Sequence, residues 1–310
     1  MGIDERAMES PRGNHGSVGG ILNVDKPGCM TSRAVVDRVA GLLGRARAGH
    51  AGTLDPLATG VLVVCVGPAT RLVDWIQRSP KSYRTVILLG ARSDTLDADG
   101  RIAYQPDAKV PSREDVEAAV LPQVGEIDQM PPEYSALKVG GRRAYDLARA
   151  GHSVELASRR VRIDRIGVIR YEWPRLELEV DCGAGTYIRS IARDVGEALG
   201  CGGLVEILVR TRIGTFTIED AVDLNGLTTE SLVRHLQSPL AAVADLPRLV
   251  LDPDQVAAVA NGKRLSSRDF PAANILPGEL TLLDSEGRLV ALAESNSSEG
   301  WIQPRKVFHP

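Results

Sequence analysis

The stretch Gly49-His50-Ala51-Gly52-Thr53-Leu54-Asp55-Pro56-Leu57-Ala58-Thr59-Gly60 decides how the chain is read. Its three glycines permit tight turns and close approach of another backbone. Pro56 fixes its own φ and biases Asp55 toward extended geometry. The apolar run 61–66 follows at once and reads as a buried strand. A carboxylate held between rigid turns and a buried strand is how a chain pre-positions a reacting group. On the residues alone, the plainer reading of an aspartate that caps a turn stays open.

Outward from this loop the pattern mixes strands and helices. Residues 21–24 read as a short strand. Thr31 or Ser32 caps a helix through Leu43, with Val35, Val36, Val39, Leu42 and Leu43 at helical spacing. Residues 69–78 read as helical and 83–89 as a strand. Ser112, with Asp115 three residues on, opens another helix. Residues 142–150 read as a short basic helix. Residues 161–171 and 176–181 read as adjacent strands, the second alternating Leu176, Leu178 and Val180 with Glu177 and Glu179. An amphipathic helix over 186–199 and a strand over 204–213 follow, and the last sixty residues read as short strands and turns. Strands adjacent in sequence, without strict alternation with helices, give the α+β class.

Composition bounds the function. The chain has 310 residues, 43% hydrophobic and 25% charged, which suits a globular protein of two domains. Its longest apolar run is far short of the ~20 residues a bilayer requires, so no membrane association is expected. Residues 1–18 lack the apolar stretch of a secretory signal and read as a disordered tail. The four cysteines form no C-x-x-C pair, and the five histidines are scattered. Reduced thiols in a cytoplasmic protein, with no metal site, are the expectation. No phosphate-cradling glycine motif follows a strand, which disfavours dinucleotide and nucleoside triphosphate enzymes.

The charge is unevenly spread. The net charge is −3, yet residues 138–170 hold nine basic and three acidic residues. Residues 94–133 hold ten acidic and three basic residues. A basic face suits a phosphate backbone although the whole chain is mildly acidic, and a merely solvated surface is the other reading.

The segment from Gly49 to Gly60 resembles the catalytic motif of the TruB family of tRNA pseudouridine synthases. Other segments resemble that family in the same order. They are Asn23-Val24-Asp25-Lys26-Pro27, Lys81-Ser82-Tyr83-Arg84, Tyr134-Ser135-Ala136-Leu137-Lys138 with Gly140-Gly141-Arg142-Arg143-Ala144-Tyr145, Gly185-Thr186-Tyr187-Ile188-Arg189-Ser190, and Leu208-Val209-Arg210-Thr211. The likeness runs from about residue 20 to residue 218.

The resemblance implies a pseudouridine-synthase fold: a large mixed, mostly antiparallel sheet flanked by helices, then a small β-rich PUA-like domain. It implies a catalytic domain over 19–245, with an RNA-contacting insertion at about 124–158, and a C-terminal domain over 246–310. That last segment is net acidic, a departure that weakens its expected grip on RNA. The implied activity is isomerisation of uridine 55 in the T loop of tRNA, without cofactor, metal or obligatory protein partner.

Asp55 would act at C1′ or C2′ of the ribose, and Arg189 would hold it ionised. Tyr83 would stack on the uracil and accept or relay the C5 proton, and Leu208 would touch the base, although either side chain also suits a core. Tyr187 would support the site. His50 would fill the space left by the flipped base. Lys26 would be a site wall or RNA contact. Lys138, Arg142 and Arg143 would grip T-arm phosphates.

Overall fold

The computed structural model describes residues 19–134, 138–139, 142–143, 156–270, 276–296 and 298–308. The expected tail at 1–18 lies outside them. Strand β1 (Gly20–Lys26) leads into helix α1 (Ser32–Leu42). Thr31 caps that helix, its Oγ1 accepting from the Ala34 N–H at 3.1 Å. Strands β2 (Ala48–His50) and β3 (Thr59–Val66) pair antiparallel, so the expected glycine-rich loop begins as a strand and narrows to residues 51–58.

A 3-10 turn runs into the short helix α2 (Val73–Arg78), followed by β4 (Lys81–Leu89). Strands β5 (Ala91–Ser93) and β6 (Ile102–Tyr104) hold the turn between them. Helix α3 (Arg113–Val120) opens on the Ser112–Asp115 capping box. Then come β7 (Gly125–Gln129), the hairpin β8 (Lys138–Val139) with β9 (Arg142–Arg143), β10 (Arg159–Glu172) and β11 (Arg175–Cys182). A helix over Ile188–Ala198 precedes β12 (Gly203–Ile213), β13 (Phe216–Thr217) and β14 (Val222–Asp223).

The main sheet has ten strands, eight of them in the order β14-β1-β3-β12-β4-β11-β10-β7. β1 with β14 and β12 with β3 pair parallel, and the other neighbours pair antiparallel. This is the large mixed, mostly antiparallel sheet expected.

Burial explains the sequence pattern strand by strand. β3 is central and covered on both faces, so it reads as a continuous apolar run. Leu62, Val64 and Val66 join the core under α1, α3 and the Ile188–Ala198 helix, while Val61, Val63 and Cys65 join a second cluster with Ala69 and Ile76. β11 is covered on one face. Leu176, Leu178 and Val180 are buried, and Glu179 and Asp181 meet Arg165 outside at 2.6 and 3.0 Å.

Two expectations are corrected. Arg142 and Arg143 lie in a strand rather than starting a helix, and 144–150 fall outside the described residues. β7 pairs with β10, so residues 125–129 of the expected insertion belong to the main sheet.

A separate five-stranded sheet closes the chain, formed by β15 (Arg248–Val250), β16 (Leu265–Ser266), β17 (Gly278–Leu283), β18 (Leu289–Asn296) and β19 (Trp301–Val307). Its own core includes Leu249, Val259, Leu282 and Ile302. A helix over Pro253–Ala260 adds to the strands and turns expected there, capped by Asp252 with proline at its first position. Among the described residues no helix is long and apolar enough to cross a membrane.

Candidate active site

The loop 51–58 is pinned from below by side chains. The Lys26 ammonium donates to the carbonyls of Pro27, Met30 and Pro56 at 2.8, 2.6 and 3.2 Å. Ser32 Oγ donates to the Leu54 carbonyl at 3.0 Å and accepts from its N–H at 2.8 Å. Arg210 donates to Gly52 at 3.1 Å, to Thr53 at 3.4 Å and to Val61 at 2.8 Å. These cations make the hydrogen bonds that loop carbonyls require when water is excluded. At Gly60, φ is +94° and an added Cβ would lie 2.3 Å from the Arg210 carbonyl oxygen. Only glycine lets β3 approach β12 this closely.

Arg189 enters from the second residue of the Ile188–Ala198 helix. Gln129, itself buried, fixes the helix start by accepting from the Tyr187 N–H at 2.8 Å and donating to its carbonyl at 3.1 Å. Nε of Arg189 lies 2.9 Å from Asp55 Oδ2, and Nη2 donates to Oδ1 at 3.2 Å. This two-point fork fixes the carboxylate plane. The remaining donors reach the Thr95 carbonyl at 2.9 Å, the Tyr134 carbonyl at 3.0 Å and Asp97 Oδ2 at 3.3 Å. Three of these contacts are hydrogen bonds, and the approaches to Asp55 Oδ2 and Asp97 Oδ2 are ion pairs. The Asp55 side chain keeps 32% of its surface exposed, against 7% for Arg189. Burial pushes the Asp97 carboxyl above its ordinary value, opposed by Thr95 and Arg189.

The acid faces a cavity of about 560 Å³. Its floor comes from β4 and β12, where Tyr83 stands opposite Arg210, and Leu208 opposite Thr85. One wall is the loop through Asp55, another is the turn at 183–187, and Asp74, Gln77, Arg78 and Lys81 form the rim. Burial pushes the Tyr83 phenol above its ordinary value, against the pull of Arg210. The Lys81 ammonium is pushed down to about 8, by burial first and then by Arg210.

Residues 41–188 match the profile described as TruB family pseudouridylate synthase (N terminal domain), and residues 189–253 match tRNA pseudouridylate synthase B C-terminal domain. The chain belongs to the TruB family of pseudouridylate synthases. A relative from a Caulobacter species, named tRNA pseudouridine synthase B, is 41% identical over 302 residues, covering 94% of this chain and 96% of the relative. A protein of the same name from Mycobacterium tuberculosis is 42% identical over 283 residues, covering 90% and 93%. Among solved structures, a Cbf5-Nop10-Gar1 complex aligns with TM-score 0.71 at 28% identity, covering 95% of this chain and 86% of that one. An H/ACA RNP bound to a substrate RNA containing 2'-deoxyuridine aligns with TM-score 0.69 at 28% identity, covering 94% and 85%. This TruB-family chain is therefore a pseudouridine synthase, an isomerase.

In this TruB-family site Asp55, Tyr83, Tyr187, Arg189 and Leu208 all line one cavity. Two expected contacts lie elsewhere. Lys26 has no exposed surface and sits beneath the loop, so it offers nothing to RNA in this arrangement. Its ammonium is pushed down to about 8 by burial, with Asp55 and Cys29 opposing. His50 lies in β2 opposite Val64, half-buried and outside the cavity lining. Lys138, Arg142 and Arg143 form the β8–β9 hairpin, and their side chains lie outside what is described.

The basic excess over 138–170 is also partly cancelled. Arg160 pairs with Glu126 and Asp128, Arg162 with Asp164, Arg165 with Glu179 and Asp181, and Arg170 with Glu172. Cross-strand pairing places acids of the 94–133 segment beside the arginines of β10, which a linear count cannot show.

Asp97, Gln129, Ser32 and Arg210 were not expected at the site. Asp97 lies between the paired strands β5 and β6, and an aspartate is ordinarily exposed. The family resemblance singles out Leu208 rather than Arg210, yet an arginine inside an apolar strand is itself a signal, because arginine is seldom fully buried unless paired. Among the described residues no group of three His, Cys, Asp or Glu side chains could hold a metal ion.

Proposed function

We propose that the chain isomerises uridine 55 in the T loop of tRNA, with Asp55 acting at C1′ or C2′ of a nucleotide swung out of the loop. The observation that carries this reading is the Arg189 fork, which presents one carboxylate to a cavity floored by Tyr83 and Leu208. The reaction breaks the C1′–N1 bond, turns the uracil and joins C5 to C1′; a proton leaves C5 and the freed N1 takes one up, so that the product is an isomer of the substrate. Tyr83 offers a ring face to the base. Its burial favours the neutral phenol, which keeps an O–H for hydrogen bonding. The tRNA substrate comes from the names of the relatives, and a substrate RNA is named for one structural neighbour.

A hydrolase at the anomeric carbon needs a second acid for the leaving group. Asp97 stands nearby, but it is buried against Arg189 and outside the cavity lining, and Asp74, which does line the cavity, is ion-paired with Lys306, which disfavours that reading. The domain division at 245/246, with a PUA-like second domain, belongs to the same proposal. Its support is the separate core around Leu249 and Leu282.

The test uses the purified chain, without added protein, and a T-arm stem-loop. Wild type is expected to form carbon-linked uridine. Asp55→Asn is expected to abolish conversion while RNA binding persists. Conversion surviving in Asp55→Asn, or release of free uracil, overturns the reading.

A further inference from the structure

Helix α2 stands between the catalytic cavity and the C-terminal sheet. Asp74 and Arg78, four residues apart on it, both line the cavity. Each also meets the C-terminal sheet. Lys306 Nζ of β19 lies 3.4 Å from Asp74 Oδ2, and Glu279 Oε1 of β17 lies 3.5 Å from Arg78 Nη1. Lys306 is fixed by more than charge. Its ammonium donates to the Arg71 carbonyl at 2.9 Å and sits 4.4 Å from the centroid of the Trp75 ring. Below this contact, Leu72, Val243, Leu292 and Phe308 form a buried apolar cluster joining the two parts.

Asp74 thus places a carboxylate on the rim of a cavity that must admit a polyanion. A bare carboxylate there repels phosphate, and the repulsion is weakly screened inside a Debye length of about 8–10 Å. Exposed ion pairs add little to folding, so the consequence of this one falls on binding. We infer that Lys306 is a positioning residue for RNA: it neutralises Asp74 at the cavity rim, and the C-terminal sheet thereby supplies part of the electrostatics of the catalytic mouth. This inference rests on the RNA-isomerase reading of the same cavity.

The test measures KM and kcat of the full chain on a T-arm stem-loop at low and high salt. Lys306→Met is expected to raise KM about five-fold at low salt, with kcat within about two-fold, and the difference shrinks as salt rises. Asp74→Asn is expected to lower KM. The double variant Asp74→Asn/Lys306→Met is expected to return to within about two-fold of wild type, and Lys306→Arg to match wild type. An unchanged KM in Lys306→Met overturns the inference. So does a double variant no better than Lys306→Met, which would mean direct phosphate contact or plain structural support by Lys306. If Lys306→Met does not fold, Asp74→Asn decides alone, and a KM at or above wild type overturns the idea. A wild-type chain that converts no uridine sinks the reading of the cavity itself, a different failure.

Discussion

Asp97 Oδ2 stands 3.3 Å from Nη1 of Arg189, the one guanidinium nitrogen that does not contact Asp55. Asp55 and this buried acid are therefore bridged by a single cation. Asp97 is itself tethered by the Thr95 hydroxyl and the Asp99 N–H, so it acts as a fixed stop for the arginine.

Removing that stop without changing its shape is the first prediction. Asp97→Asn is expected to slow uridine conversion by roughly 10–100-fold through a small misplacement of Arg189 and Asp55. Single-turnover rates should carry the loss and RNA affinity should not. A variant with the wild-type rate shows that Arg189 is positioned adequately by its other partners.

Arg189→Lys keeps the charge and loses the fork. An ammonium cannot match both carboxylate oxygens while also serving Thr95, Tyr134 and Asp97. A fall of about 100-fold or more in kcat is expected, with the fold retained by circular dichroism. Near-normal turnover in this variant means that charge alone suffices.

Gly60→Ala puts a methyl group 2.3 Å from the Arg210 carbonyl oxygen, at a φ of +94°. Backbone strain alone costs about 1–3 kcal/mol, and β3 must also separate from β12. The urea midpoint should drop, and activity should fall with it because Arg210 holds the loop. An unchanged midpoint refutes the close approach.

The pH dependence of stability tests the burial of Cys65. Burial pushes its thiol up to about 12, from an ordinary value of 9.0. Between those values the folded chain retains a proton that the unfolded chain has lost. The contribution is therefore intact below pH 9 and is lost as pH rises toward about 12. Urea midpoints from pH 8 to pH 10.5 should decline less steeply in Cys65→Ala than in wild type. Parallel declines in the two proteins would contradict a buried thiol.

Much of this architecture was legible in the sequence because its periodicities have direct physical causes. Leu176, Leu178 and Val180 alternate because β11 is covered on one face, and residues 61–66 do not alternate because β3 is covered on both. Thr31 and Ser112 announced their helices through side chains that bond the first free N–H groups. At the site, Asp55 and Arg189 lie 134 positions apart, and their meeting was legible through family resemblance rather than local pattern. Lys26, expected as a site wall or RNA contact, lies beneath the loop, and Arg210, for which no role was expected, holds the same loop. Their charge suggests exposure, and only the folded chain shows the carbonyls that occupy them. The strand in β2 escaped notice because glycine and histidine carry little strand signal of their own.

The pinned loop at 52–56 has a further consequence. Its carbonyls are tied to two buried cations and a serine, so swinging it aside would strand charge in an apolar interior. The acid is in effect bolted to the chassis. Under the proposed function, the travel needed to bring sugar and carboxylate together is left to the nucleic acid, and sequences that hold their loop nucleotide more tightly should be turned over more slowly by an unyielding protein.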